Sequence, residues 1–182
     1  MDNSIISSYL DSYNLIHDGA HEPRIIELVD SLSEIKTKNK RVFIAGNGAS
    51  ASISSHIAND LTKATQIKAT TFHDPAIITC FGNDFGYENW IKESLNHYAE
   101  ANDMAILISS SGQSENIVNA AKFCKTRNIK LVSLTGPRPD IFLENESDII
   151  FKVDSEIYNV IECIHMIILT AAIDQINMIT LS

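Results

Sequence analysis

The strongest constraint in this chain is a repeated unit. A short apolar run stops at a cluster of small polar residues, and a stretch of helical period follows. Arg41-Val42-Phe43-Ile44-Ala45 stops at Gly46-Asn47-Gly48, and Met104-Ala105-Ile106-Leu107-Ile108 stops at Ser109-Ser110-Ser111-Gly112. Ile129-Lys130-Leu131-Val132-Ser133-Leu134 stops at Thr135-Gly136-Pro137, and Ile149-Ile150-Phe151-Lys152-Val153 is a further run. Thr70-Thr71-Phe72 reads as another strand. Between the runs, 52–63, 87–99, 114–127 and 158–176 repeat apolar residues at helical spacing. Strands that alternate with helices need crossover connections, hence a parallel sheet. Continuously apolar strands need cover on both faces. The expectation is an α/β fold: a three-layer α/β/α sandwich of about five parallel strands.

Residues 1–38 lie outside that unit. Ile5, Ile6, Leu10, Leu15 and Ile16 form one helical stripe, and Ile25, Ile26, Leu28, Val29, Leu32 and Ile35 form another. Pro23 suits the first turn of the second helix. We expect one domain over 1–182, with 1–38 as an N-terminal helical pair and a long C-terminal helix. The uncharged stretch Cys163 to Ile173 is about half the ~20 residues a membrane span needs, so it reads as a buried helix. With 45% hydrophobic and 20% charged residues, the chain can bury a core.

The charge balance narrows the partners. Lys plus Arg number 14 and Asp plus Glu 23, so 14 − 23 gives −9. Such a surface argues against nucleic acid and anionic membrane as partners. Cys80, Cys124 and Cys163 are an odd set with no C-x-x-C, which suits a reducing cytoplasm. Met1-Asp2-Asn3-Ser4 carries no basic or apolar leader pattern.

In open parallel sheets, ligands bind beyond the carboxyl ends of the strands. Gly46-Asn47-Gly48-Ala49-Ser50 occupies one such end, and there its glycines allow tight turns and close backbone approach. It is neither a Walker A loop nor G-x-G-x-x-G. Ser109-Ser110-Ser111-Gly112-Gln113-Ser114 occupies another, directly before a helix. Hydroxyls beside free N–H groups at a helix N-terminus make an anion site without lysine. Ser114 alone would serve as a helix cap. Four serines in six residues exceed that need.

These loops, in this order, resemble the sugar isomerase (SIS) domain family, and within it the phosphoheptose isomerases. His56-Ile57-Ala58-Asn59-Asp60-Leu61, Gly82-Asn83-Asp84-Phe85-Gly86-Tyr87 and Leu134-Thr135-Gly136 extend the likeness through most of the chain after residue 40. The resemblance implies an aldose–ketose isomerase acting on sedoheptulose 7-phosphate in heptose precursor synthesis. It implies a homotetramer with sites at subunit interfaces. Ser109, Ser110, Ser111 and Ser114 would hold the phosphate. Asn47, Gly48, Ala49 and Ser50 would line the sugar, and Asn83 and Asp84 would contact it. Some members hold zinc, for which His56, Asp60 and Glu162 are the candidate ligands here. Certain relatives instead bind a replication-initiator protein, and others sense sugar phosphates.

The ionisable residues can also be read directly. His56 and Asp60 are four apart in a helical stretch and share a face, which suits an acid–base pair or two metal ligands. The family usually has Glu at position 60, and the shorter Asp sets a base back by about 1.5 Å. Glu162 and His165 are three apart in an apolar helix, so they pair or face a polar cavity. The family usually carries Gln near Glu162 and His eight residues later, at Thr170, which cannot do a histidine's proton work. His165, just over one turn earlier, is the nearest substitute. The expected assignment is Asp60 as base, His165 as acid, His56 orienting or binding metal, and Glu162 as the rival base. Tyr87 and Trp90 read as packing residues, and His73 as a contact behind the site.

Overall fold

The computed structural model describes residues 3–17, 19–139 and 141–181. Five parallel strands stand in the order β2-β1-β3-β4-β5, where β1 is Arg41–Gly46, β2 Lys68–Thr71, β3 Met104–Ser109, β4 Lys130–Thr135 and β5 Ile149–Lys152. The expected α/β architecture is present. Side chains along a strand alternate between faces. Val42, Ile44, Ile106, Ile108 and Leu134 therefore join one core, while Phe43, Ala45, Ala105, Leu107 and Leu131 join the other.

The first core is closed by α2 (His21–Thr37), α3 (Ala49–Asp60) and α8 (Tyr158–Leu181). The second is closed by α5 (Trp90–Tyr98) and α6 (Glu115–Thr126). Along α8, Ile161, Ile164, Ile168, Leu169, Ala172 and Ile176 are buried, at helical spacing. The helix is long and apolar enough to cross a membrane by length and composition. Half of that apolar stretch is buried in the protein, as expected of a core helix.

The N-terminal stripe splits into α1 (Asn3–Asp11) and a 3₁₀ segment, Ser12–His17. Two helices were not anticipated. α4 (Pro75–Phe85) starts shortly after the strand read at Thr70-Thr71-Phe72. There Asp74 Oδ1 accepts from the Ala76 N–H at 2.7 Å, and Pro75 fills the first turn. The short α7 (Phe142–Glu146) buries Leu143. α3 begins three residues earlier than its apolar period suggests and passes into a π turn, Leu61–Thr65.

The register of the sheet brings the motif loops together. Gly46 is aligned with Ile108, and Ser109 with Thr135. The loops after β1, β3 and β4 therefore leave the sheet at one level. The chain also reverses its winding between β1 and β3, the place where open α/β sheets form a crevice.

Candidate functional site

The crevice between β1 and β3 is locked by a pair of amides. Asn47 Nδ2 donates to Asn116 Oδ1 at 3.0 Å, and Asn116 Nδ2 donates back to Asn47 Oδ1 at 2.9 Å. Tyr87 Oη also donates to Asn47 Oδ1, at 3.1 Å. Tyr87 is 58% exposed, so it is not a core residue, whereas Trp90 is buried. Behind the loop, His73 Nε2 donates to the Gly46 carbonyl at 2.9 Å. Burial lowers the His73 pKa, opposed by that hydrogen bond. Gly48 starts α3 at φ +57°, a conformation that favours glycine.

The serine loop gathers its hydroxyls. Ser109 Oγ lies 3.5 Å from Ser111 Oγ and donates to Ser114 Oγ at 3.3 Å. The Gln113 N–H donates to Ser111 Oγ at 3.2 Å. Ser114 is the N-cap residue of α6, yet its side chain makes no capping bond. Capping therefore does not account for this hydroxyl. It faces its neighbours at the positive end of a helix dipole, where an anion is favoured by about 0.3–1 kcal/mol.

A hollow of about 260 Å³ opens beside this cluster. Asn47 and Ser50 wall it from the first loop, and Ser109, Ser110, Ser111 and Ser114 from the second. Tyr158 and Glu162 wall it from α8. Glu162 is the one ionisable carboxylate among its described lining residues. Gly48 and Ala49 are exposed at the start of α3 and are not on that wall. Asn83 and Asp84 are exposed at the end of α4, where Asn83 Nδ2 donates to Asp84 Oδ1 at 2.9 Å. They do not reach the hollow either.

The expected acid–base residues separate. His56 Nε2 and Asp60 Oδ2 are 3.1 Å apart, on a half-exposed face of α3 outside the hollow. His165 is fully buried, with Nε2 donating to the Thr135 carbonyl at 3.1 Å. The structure thus places the expected acid in the core, tied to the sheet, and not on the wall of the hollow. His165 does not pair with Glu162. Glu162 and His165 stand on different faces of α8, one turned to the hollow and one to the core.

Among the described residues, no group of three or more His, Cys, Asp and Glu lies close enough to hold a metal ion. His56 and Asp60 face each other while Glu162 faces the serines. Thr170 Oγ1 donates to the Met166 carbonyl at 2.9 Å and so is turned to its own helix. Within one chain, His56 and Asp60 therefore do not meet Glu162 as a single ligand set.

Burial pushes the His165 pKa down to about 4, opposed by the Thr135 hydrogen bond and helped by His21. The ordinary value is about 6.5. The folded protein therefore keeps this ring neutral where the unfolded chain would protonate it. Its contribution is present above pH 6.5 and is lost as pH falls from about 6.5 to 4, by roughly 3 kcal/mol. Denaturant titrations across that range should show a shallower loss for His165→Gln than for wild type.

Residues 9–136 match the SIS domain. This protein belongs to the SIS domain family. A phosphoheptose isomerase of Fusobacterium nucleatum is 29% identical over 97% of this chain and 95% of its own length. The structure of a phosphoheptose isomerase from Francisella tularensis superposes with a TM-score of 0.89 at 25% identity, covering 98% of this chain and 99% of that one. The phosphoheptose isomerase of Neisseria gonorrhoeae shares the fold, with a TM-score of 0.86 at 20% identity over 96% and 97% of the two chains. The SIS sheet thus accounts for the placement of both motif loops. Residue reasoning singled out Glu162 but gave it a secondary role, and it missed Tyr158 and the Tyr87 hydrogen bond.

Proposed function

We propose that this SIS-domain protein is an aldose–ketose isomerase that interconverts sedoheptulose 7-phosphate and D-glycero-D-manno-heptose 7-phosphate. The observation that carries the reading is the cluster of Ser109, Ser111 and Ser114 hydroxyls, uncommitted to capping, in one hollow with Glu162. Hydroxyls and helix N–H groups bind a phosphate ester without lysine in the loop. The named relatives support the substrate class.

The reach of the substrate chooses between the carboxylates. From a phosphate on C7, the reacting C2 and C1 lie about 9–10 Å from the phosphorus in an extended chain of ~1.5 Å bonds. Ten residues of α3 separate Asp60 from Ser50, about 15 Å at the helical rise. Glu162 shares the hollow with the serines. We therefore assign Glu162 as the base, where the sequence alone favoured Asp60.

In the forward direction Glu162 takes a proton from C1 while the C2 carbonyl oxygen takes one from solvent, giving a cis-enediol. The O1 proton then returns to solvent and C2 receives a proton from the Glu162 carboxyl group. No atom is gained or lost. Asn47 and the serine hydroxyls orient the polyol, and the neighbouring Tyr158 covers one side. Incubation with sedoheptulose 7-phosphate should yield the aldose. An unchanged ketose pool would remove this reading.

We further place the protein in the cytoplasm as a homotetramer. Its described cysteines are all free. Ile5, Ile6 and Leu10 of α1, Ile26 of α2 and Ile167 of α8 are each more than 40% exposed. A hollow of about 590 Å³ runs between α2, α8 and the 3₁₀ segment. Exposed apolar side chains on these helices suit an interface between copies. Light scattering should give four copies, and Leu10→Glu with Ile26→Glu should lower that number. A monomeric wild type would contradict the assignment.

A further inference from the structure

The serine loop contains no cation, yet the structure places one beside it. A second hollow, of about 270 Å³, shares Ser110 and Tyr158 with the serine hollow. Arg138 stands on its wall, the one cation among the described residues lining either space. Arg138 Nη1 donates to Gln113 Oε1 at 2.6 Å. Gln113 in turn donates its backbone N–H to Ser111 Oγ. Gln113 thus holds the guanidinium with its side chain and the hydroxyl cluster with its backbone.

The backbone holds Arg138 at that edge. The Gly136 N–H donates to the Ser110 carbonyl at 3.0 Å, and a Cβ on Gly136 would collide with that same carbonyl. The loop after β4 therefore lies directly on the serine loop. Pro137 and Pro139 flank Arg138. A proline fixes its own φ and biases the preceding residue toward extended backbone. Among the described residues Arg138 makes no ion pair, although Glu156 lines the same hollow. Ser110 Oγ, on the shared wall, is buried without a hydrogen-bond partner.

We propose that Arg138 is a phosphate-recognition residue, supplying from the loop after β4 the positive charge that the serine loop lacks. This deepens the function proposed above and rests on it. A guanidinium matches phosphate oxygens with paired donors, which a neutral hydroxyl cannot do. Arg138 thereby selects phosphorylated over unphosphorylated sugars. Glu162, across the serine hollow, is left for the carbon end of the substrate.

Inorganic phosphate binding by titration calorimetry, and KM and kcat with sedoheptulose 7-phosphate, test this. Arg138→Gln should weaken phosphate binding and raise KM by about tenfold or more, with kcat held. Arg138→Lys should recover part of both. Because Arg138 is exposed, the melting temperature should not move. Affinity for inorganic phosphate unchanged within twofold in Arg138→Gln would overturn the proposal, as would a loss explained by unfolding. If phosphate binding depends on Arg138 but no sugar is turned over, the isomerase reading fails while this site stands. If turnover is intact and Arg138→Gln behaves as wild type, this site fails and the isomerase stands.

Discussion

Glu162→Gln lowers turnover of sedoheptulose 7-phosphate by about 10²–10⁴-fold, the usual loss when a positioned proton carrier is removed. The amide keeps the size and polarity of the carboxylate but cannot accept the carbon-bound proton. Since Glu162 is half-buried at the wall of a hollow, the fold and KM should change little. Asp60→Asn is the companion measurement. It breaks only an exposed pair with His56, so its turnover should stay within a few-fold of wild type. Exposed pairs of this kind contribute about 0–1 kcal/mol to stability. If Asp60→Asn loses turnover and Glu162→Gln keeps it, the proton is carried on α3 and the phosphate does not sit at the serines as assigned.

The second large effect falls on binding. Ser111→Ala with Ser114→Ala removes two hydroxyls from the cluster around Ser109. A hydrogen bond to a charged group contributes roughly 1.5–3 kcal/mol. The double variant should therefore raise KM by about 100-fold or more at nearly constant kcat, read from steady-state kinetics. A KM equal to wild type would move the phosphate elsewhere. The helix should survive, because Ser114 makes no capping bond with its side chain.

The position of the site was legible because two features of the chain coincide. Short apolar runs that stop at Gly46-Asn47-Gly48 and at Ser109 through Gly112, and that alternate with helical stretches, read as strands that end in loops. Parallel pairing then sets those loops side by side, as Gly46 opposite Ile108 shows. The same logic failed on α8 for a reason visible afterwards. His165 follows Ile161 by four and precedes Ile168 by three, so helical period carries it into the core with them. Glu162 is one position off that stripe and turns to the hollow. Of the two alternatives for Glu162, pairing with His165 or facing a polar cavity, the structure shows the second.

Other features depend on tertiary approach. Tyr87 reads as an ordinary aromatic after Gly86, and only the fold brings its hydroxyl to Asn47, forty positions away. Asn47 and Asn116 are 69 apart in sequence, and nothing local marks them as partners. Arg138 lies in a Pro-rich turn whose contact with Ser110 follows from β3 and β4 being neighbours. α4 did have a local signal, Asp74 before Pro75.

The central claim is that a carboxylate in the serine hollow moves a proton between adjacent carbons of a sugar phosphate. Proton NMR of sedoheptulose 7-phosphate in D₂O tests it most directly, with wild type and Glu162→Gln run in parallel and with chelator present throughout. The expected result is aldose formation by wild type, with deuterium entering at C1 or C2 through the carboxyl group, and neither change with Glu162→Gln. Conversion by Glu162→Gln at the wild-type rate, or no conversion and no exchange by wild type, would contradict it.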